Sequence, residues 1–279
     1  MNKKVFIFAG IIIASLAAAA QQGVTLRREL KEDATDVYKV QFDMKSNGNA
    51  AGNDFDLSID ANLKLTVKAG KKDGADGPLN LDAVASDIQA KVDGSAATFV
   101  EPMIDGLPKE IKASGKLDAR NHLTMKDEKF SMAAMMSHSS PSQLLINYVE
   151  FPEKSVNVGD TWPILIENNP FYGKKTQTLT AKLVGEKDLD GAKVWVVSVT
   201  GTLHIDADMG AIGGDEAQQS GIAGTMKGTS EMNGEALIDK TTGKILVCTV
   251  TSKDDTTMDG GQVTVESKGT MKTVTTLQK

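Results

Sequence analysis

Residues 55–67, Phe-Asp-Leu-Ser-Ile-Asp-Ala-Asn-Leu-Lys-Leu-Thr-Val, carry an apolar side chain at every second position and a polar one between. Successive side chains of a strand point to opposite faces, so this period of two predicts a long β-strand with one apolar and one wet face. Antiparallel sheets tolerate such one-sided solvation, whereas strands buried on both faces read as continuous apolar runs. The stretch therefore points to a mainly β chain with long antiparallel strands.

The alternation recurs outward from it. Val40, Phe42 and Met44 repeat it on a shorter scale, as do Ile111, Ala113, Leu117, Ala119, Leu123 and Met125, a run that Asp118–Asn121 divides if it turns. Further on, residues 176–184 and 194–205 flank Asp188-Leu-Asp-Gly191, whose Asp-Gly pair permits the positive φ of a tight hairpin. A second hairpin is predicted between residues 234–238 and 244–251 across Asp239-Lys-Thr-Thr-Gly243, and residues 262–277 supply a final Thr- and Val-rich strand. Leu117-Asp118 followed by His122-Leu123 echoes Ile238-Asp239 followed by Lys244-Ile245, one strand-turn-strand unit in each half. Two sheet-rich halves are expected, 21–150 and 151–279, arranged as a half-barrel or sandwich. The period changes only at Phe130–Met136 and Pro141–Tyr148, which predict a short helical segment near 130–149. Five glycines within residues 207–224 predict a long loop.

Residues 1–20 have another character: two lysines, an apolar run from Val5 to Ala14, and small residues up to Ala20 before Gln21. That is the pattern of a secretory signal peptide cleaved before Gln21, with export to the periplasm or the medium. A lipid anchor would need a cysteine directly after the cleavage site. The one cysteine is Cys248, inside the apolar run 245–250, where it is expected to be a buried small side chain. Loss of Lys3 and Lys4 leaves 29 basic and 37 acidic residues, a mature net charge of −8 that opposes nucleic acid and anionic lipid surfaces.

Residues 151–162, Phe-Pro-Glu-Lys-Ser-Val-Asn-Val-Gly-Asp-Thr-Trp, resemble the Leu-Pro-x-Lys-Pro-Val-x-Val-Gly-Asp-x-Trp phrase of a family of uncharacterised exported bacterial proteins, departing from it at Phe151 and Ser155. In that family the phrase joins two β-rich portions, and the resemblance implies no reaction. Physically, Pro152 stops the preceding segment, Val156 and Val158 alternate as a short strand, and Gly159-Asp160 turns the chain to present Trp162. Tyr148, Phe151, Trp162, Phe171 and Tyr172 fall within one 25-residue stretch. Such a concentration either pins two halves together as core or lines a ligand groove.

No catalytic or cofactor constellation is expected. The three histidines are His122, His138 and His204, and there is no Gly-x-Ser-x-Gly elbow, Cys-x-x-Cys or His-Glu-x-x-His. Asp206-Ala-Asp208-Met-Gly210 begins like a calcium loop but places Ala211 and Ala217 where Gly and Glu are needed. The Met132, Met135, Met136 and His138 group is read as gap-filling apolar packing rather than a copper site. The expectation is a non-enzymatic exported β-protein whose sheet cups a lipid or other apolar or amphipathic ligand, with 130–149 as lid and 207–224 at the rim. The alternative is an envelope or extracellular interaction protein whose closed sandwiches leave no cavity.

Overall fold

The computed structural model describes residues 23–75, 77–106, 108–126, 149–167, 169, 171–212, 224–260 and 263–278. Residues 1–22, Tyr148 and nearly all of the helical segment expected at 130–149, including Met132–His138, lie outside these residues, as does 213–223.

Among the described residues eleven strands form one antiparallel sheet: β1 (Thr35–Ala50), β2 (Asn53–Lys72), β3 (Leu79–Asp93), β4 (Ile111–Leu117), β5 (Leu123–Lys126), β6 (Thr161–Ile166), β7 (Gln177–Leu189), β8 (Ala192–Asp208), β9 (Thr225–Asp239), β10 (Ile245–Asp259) and β11 (Thr264–Leu277). Their spatial order is β5-β4-β3-β2-β1-β11-β10-β9-β8-β7-β6. Every neighbouring pair is consecutive in the chain except β1 and β11, whose thirteen-residue ladder from Tyr38–Leu277 to Ala50–Val265 joins the two halves at the middle of the sheet. The chain takes the single-sheet arrangement, not two separate sandwiches.

Local chemistry accounts for the turns. Asp190 and Gly191 adopt φ +49° and +83° between β7 and β8, and Ala51 and Gly52 adopt φ +51° and +84° between β1 and β2, the positive pair of a type I′ hairpin. In the β9–β10 turn the Asp239 carboxylate accepts hydrogen bonds from the amides of Thr241 and Thr242 and from the Thr242 hydroxyl, at 2.7–3.0 Å. Burial works against that charge, but these hydrogen bonds prevail and hold the carboxyl below its ordinary range. Asp118 does the same between β4 and β5, accepting from Arg120 and His122 amides, so the two echoing units fold alike.

One expectation is corrected, and one element was not foreseen. Where the loop 207–224 was expected to begin, β8 runs to Asp208 because Ala207 still faces the core, and a single helical turn follows at 209–212. A helix that no signal announced, α1 (Ala97–Asp105), follows β3. Its N-cap is Ala96 with no side-chain cap, and Pro102 lies inside it.

The sheet is strongly bent. The β4–β5 and β9–β10 turns are six strand spacings apart in the order, roughly 28 Å if the sheet were flat. Yet the consecutive residues Arg28 and Glu29 donate their amides to Ala119 in one turn and Thr242 in the other, at 2.8 and 2.7 Å. The buried Arg28 guanidinium reaches Asn121 Oδ1 (2.9 Å) and Asp36 (3.3 Å), and Lys244 Nζ meets the other oxygen of Asp36 at 2.6 Å. The same charges surround Tyr38, whose hydroxyl pKa is raised by burial against the opposing pull of Arg28. The edge strands β5 and β6 do not pair, so the curled sheet stays open.

Among the described residues three apolar clusters form, the smallest of them Val194, Val196 and Leu237 of β8 and β9. The largest joins β6–β10 to Leu26, Val149, Phe151, Val156, Phe171 and Tyr172 from the connecting segments. The second joins β1–β4 around Tyr38, Val40, Leu65 and Leu117.

Candidate functional site

Strand register defines one continuous inner face. One row across β8, β9, β10, β11, β1 and β2 is Val199, Gly234, Val250, Thr273, Phe42 and Ala61. The next is Gly201, Met232, Ser252, Met271, Met44 and Ile59, again mostly apolar. Opposite them the outer face is charged, with a shallow solvent-open groove of about 520 Å³ between Asp43, Glu231, Lys253 and Lys272.

On the inner face, Val149, Leu179, Val199, Met232 and Val250 surround Gly234 and leave a small apolar hollow, part of it open to solvent. Gly234 creates it by presenting no side chain to that row. The enclosed part is only about 10 Å³, room for one water-sized group and far below the roughly 300–1,000 Å³ of small-molecule sites, so an alkyl chain enters only if the lining side chains move apart.

The aromatic residues singled out by the sequence lie in the largest cluster. Phe151 and Phe171 are fully buried, and Trp162 and Tyr172 nearly so; Tyr148 lies outside the described residues. Phe151 is held by its amide to Arg120 O (2.7 Å), and Trp162 by its indole N–H to Glu150 O (2.7 Å). The Phe171 amide donates to Asn169 Oδ1 (2.9 Å), and Gln177 Nε2 donates to Tyr172 O (2.7 Å). None of the four lines the hollow; Val149, from the same connecting segment, does.

That segment, residues 149–156, ties the sheet's two edges. Its turn is built as the sequence implies, with Gly159 at φ +98° and the Asp160 carboxylate accepting from the Asn157 amide at 2.7 Å. Val156 bridges Val24, whereas Val158 is exposed. Glu150 accepts from Arg120 (2.7 Å) and pairs with His122 Nδ1 (3.3 Å), both from the β4–β5 turn. The hydrogen bond between them raises the His122 pKa and lowers that of Glu150. His204 is exposed, and Cys248 is buried on the inner face. Among the described residues no group of three or more His, Cys, Asp or Glu could hold a metal, and no helix is long and apolar enough to cross a membrane.

No family model and no curated protein matches the chain. Among solved structures it is similar to lipovitellin, in a structure concerned with lipid–protein interactions, at a TM-score of 0.42 and 9% identity over 90% of this chain and 26% of that one. The chain thus spans about a quarter of the lipovitellin length. It is also similar to a DUF1329 family protein from Desulfovibrio piger, at a TM-score of 0.16 and 9% identity over 85% of each chain. At these scores neither likeness carries an argument about function.

Proposed function

We propose that the chain is an exported, non-enzymatic β-protein, of the kind the 151–162 phrase implies, whose curled sheet holds an apolar or amphipathic ligand on its inner face. The observation that supports this reading is the inner face itself: apolar rows run across at least six strands, and the hollow at Gly234 interrupts their packing. Burial of alkyl surface against such rows stabilises a complex by roughly 25 cal/mol per Å² before the entropic cost of association. No reacting group is required, and the net charge keeps the outer surface away from nucleic acid.

Native mass spectrometry tests the reading on protein exported with its own leader, comparing gentle and denaturing conditions. The expected result is an adduct of lipid size that disappears on denaturation, on a chain beginning at Gln21. A bare chain, even after incubation with a lipid extract, would overturn it and favour an interaction module without a cavity.

A further inference from the structure

One row beyond Met232 and Met271 the inner face changes chemistry. Leu203, Ser230, Asp254, Gly269, Ser46 and Leu57 lie side by side, and beyond them Ile205, Gly228, Thr256, Ser267, Gly48 and Phe55. A further row brings back Ala207, Met226, Met258 and Val265. The middle four strands therefore carry a polar island bordered by apolar residues on every side.

At its centre is a carboxylate. Asp254 lies on the inner face, between Ser252 and Thr256, both buried. Its Oδ2 accepts the Ser252 hydroxyl at 2.9 Å, but Oδ1 is closed off from solvent and has no hydrogen-bond partner. Two nearby hydroxyls, Ser46 and Ser267, share a hydrogen bond at 2.6 Å, and glycine occupies the β11 position beside Asp254. Elsewhere on this fold buried charge is matched, as Asp36 is by Arg28 and Lys244. An acceptor left unpaired away from water is destabilising, and a charged one more so, which makes this oxygen, alone among the buried side-chain polar atoms of the described residues, a place that demands a donor.

We propose that Asp254 is the head-group site for an amphiphile with a protonated amine, whose alkyl chain runs along β10 to the hollow at Gly234. Val250, which lines the hollow, and Asp254 are four residues apart on one face, roughly 13 Å of strand. An ammonium group supplies both the donor and the opposite charge, whereas a hydroxyl supplies only the donor and a carboxylate repels. The inference rests on the ligand-holding role proposed above and adds the chemical class of the ligand.

The test uses dodecylamine, dodecanol and dodecanoate, three molecules with one chain and different heads, titrated at pH 7.5 into the protein exported with its own leader. Expected is an order of affinity amine, then alcohol, then carboxylate, with the amine preferred over the alcohol by about tenfold. Asp254→Asn should abolish the preference, while Asp255→Asn, on the outer face beside Lys268, should leave it intact. Equal binding of all three by the unaltered protein, or a preference that survives Asp254→Asn, would overturn the head-group assignment and leave the ligand-holding role standing; an ordered water alone on Oδ1 gives this result. Binding of none would overturn both.

Discussion

Two glycines in tight turns separate backbone freedom from packing. Gly191 has φ +83° with open space around the site of an added Cβ, so Gly191→Ala is expected to lose only about 1 kcal/mol in urea unfolding, the strain of a left-handed alanine. Gly243 has φ +66°, and a Cβ there would overlap Arg27 O and crowd Arg28. Gly243→Ala should lose about 2 kcal/mol or more, because the segment that carries Arg28 must move away. Arg28→Met, which leaves Asp36 with Lys244 alone in a half-closed site, is expected to destabilise by roughly 3 kcal/mol in the same assay. The turn at Asp239–Gly243 was legible in the sequence because its chemistry is local. Asp254 was not: residues 251–257 read Thr-Ser-Lys-Asp-Asp-Thr-Thr, polar at every position, so the period of two that assigns a face disappears there.

Among the elements, the segment 149–156 and the β4–β5 turn form a latch whose strength depends on pH. His122 has a raised pKa in the folded state, so its contribution is complete below its unfolded value near 6.5 and is lost as pH rises through the folded value. Glu150 has a lowered pKa, so its contribution is present above its unfolded value near 4.5 and is lost as pH falls through the folded one. The latch is therefore strongest between about pH 4.5 and 6.5. Amide exchange in residues 149–156 should be slower, relative to other segments, at pH 5.5 than at pH 8 after correction for intrinsic rates. His122→Phe should remove that difference, and because His122 is more than half exposed the effect should stay below about 1 kcal/mol. A difference that persists in the variant would refute the latch. Long alternating strands such as β2 and β8 were readable from period alone. Helix α1 was not, since it lacks a polar cap and contains Pro102, and β3 was obscured by apolar residues on both of its faces, as in Leu81-Asp-Ala-Val-Ala85.

For the whole molecule, continuity of the sheet predicts that the halves unfold together. Trp162 and Trp195 both lie in the second half, so tryptophan fluorescence reports on that half, while far-ultraviolet circular dichroism reports on all the strands. Their urea transitions should coincide, and a separated second transition would show independent halves. The pairing of β1 with β11 was not legible, because the two are more than two hundred residues apart in sequence and neither carries a local mark of its partner. The same seam sets the order in which the protein can be assembled. Nine of the ten strand adjacencies are closed by neighbours along the chain and can form as soon as both strands exist, but the tenth requires closure of nearly the entire polypeptide. Until Thr264–Leu277 has emerged, β1 offers an unpaired edge at what will become the centre of the sheet. A nascent chain is thus most exposed to wrong partners just before its last strand arrives, and that strand acts as the closing stitch.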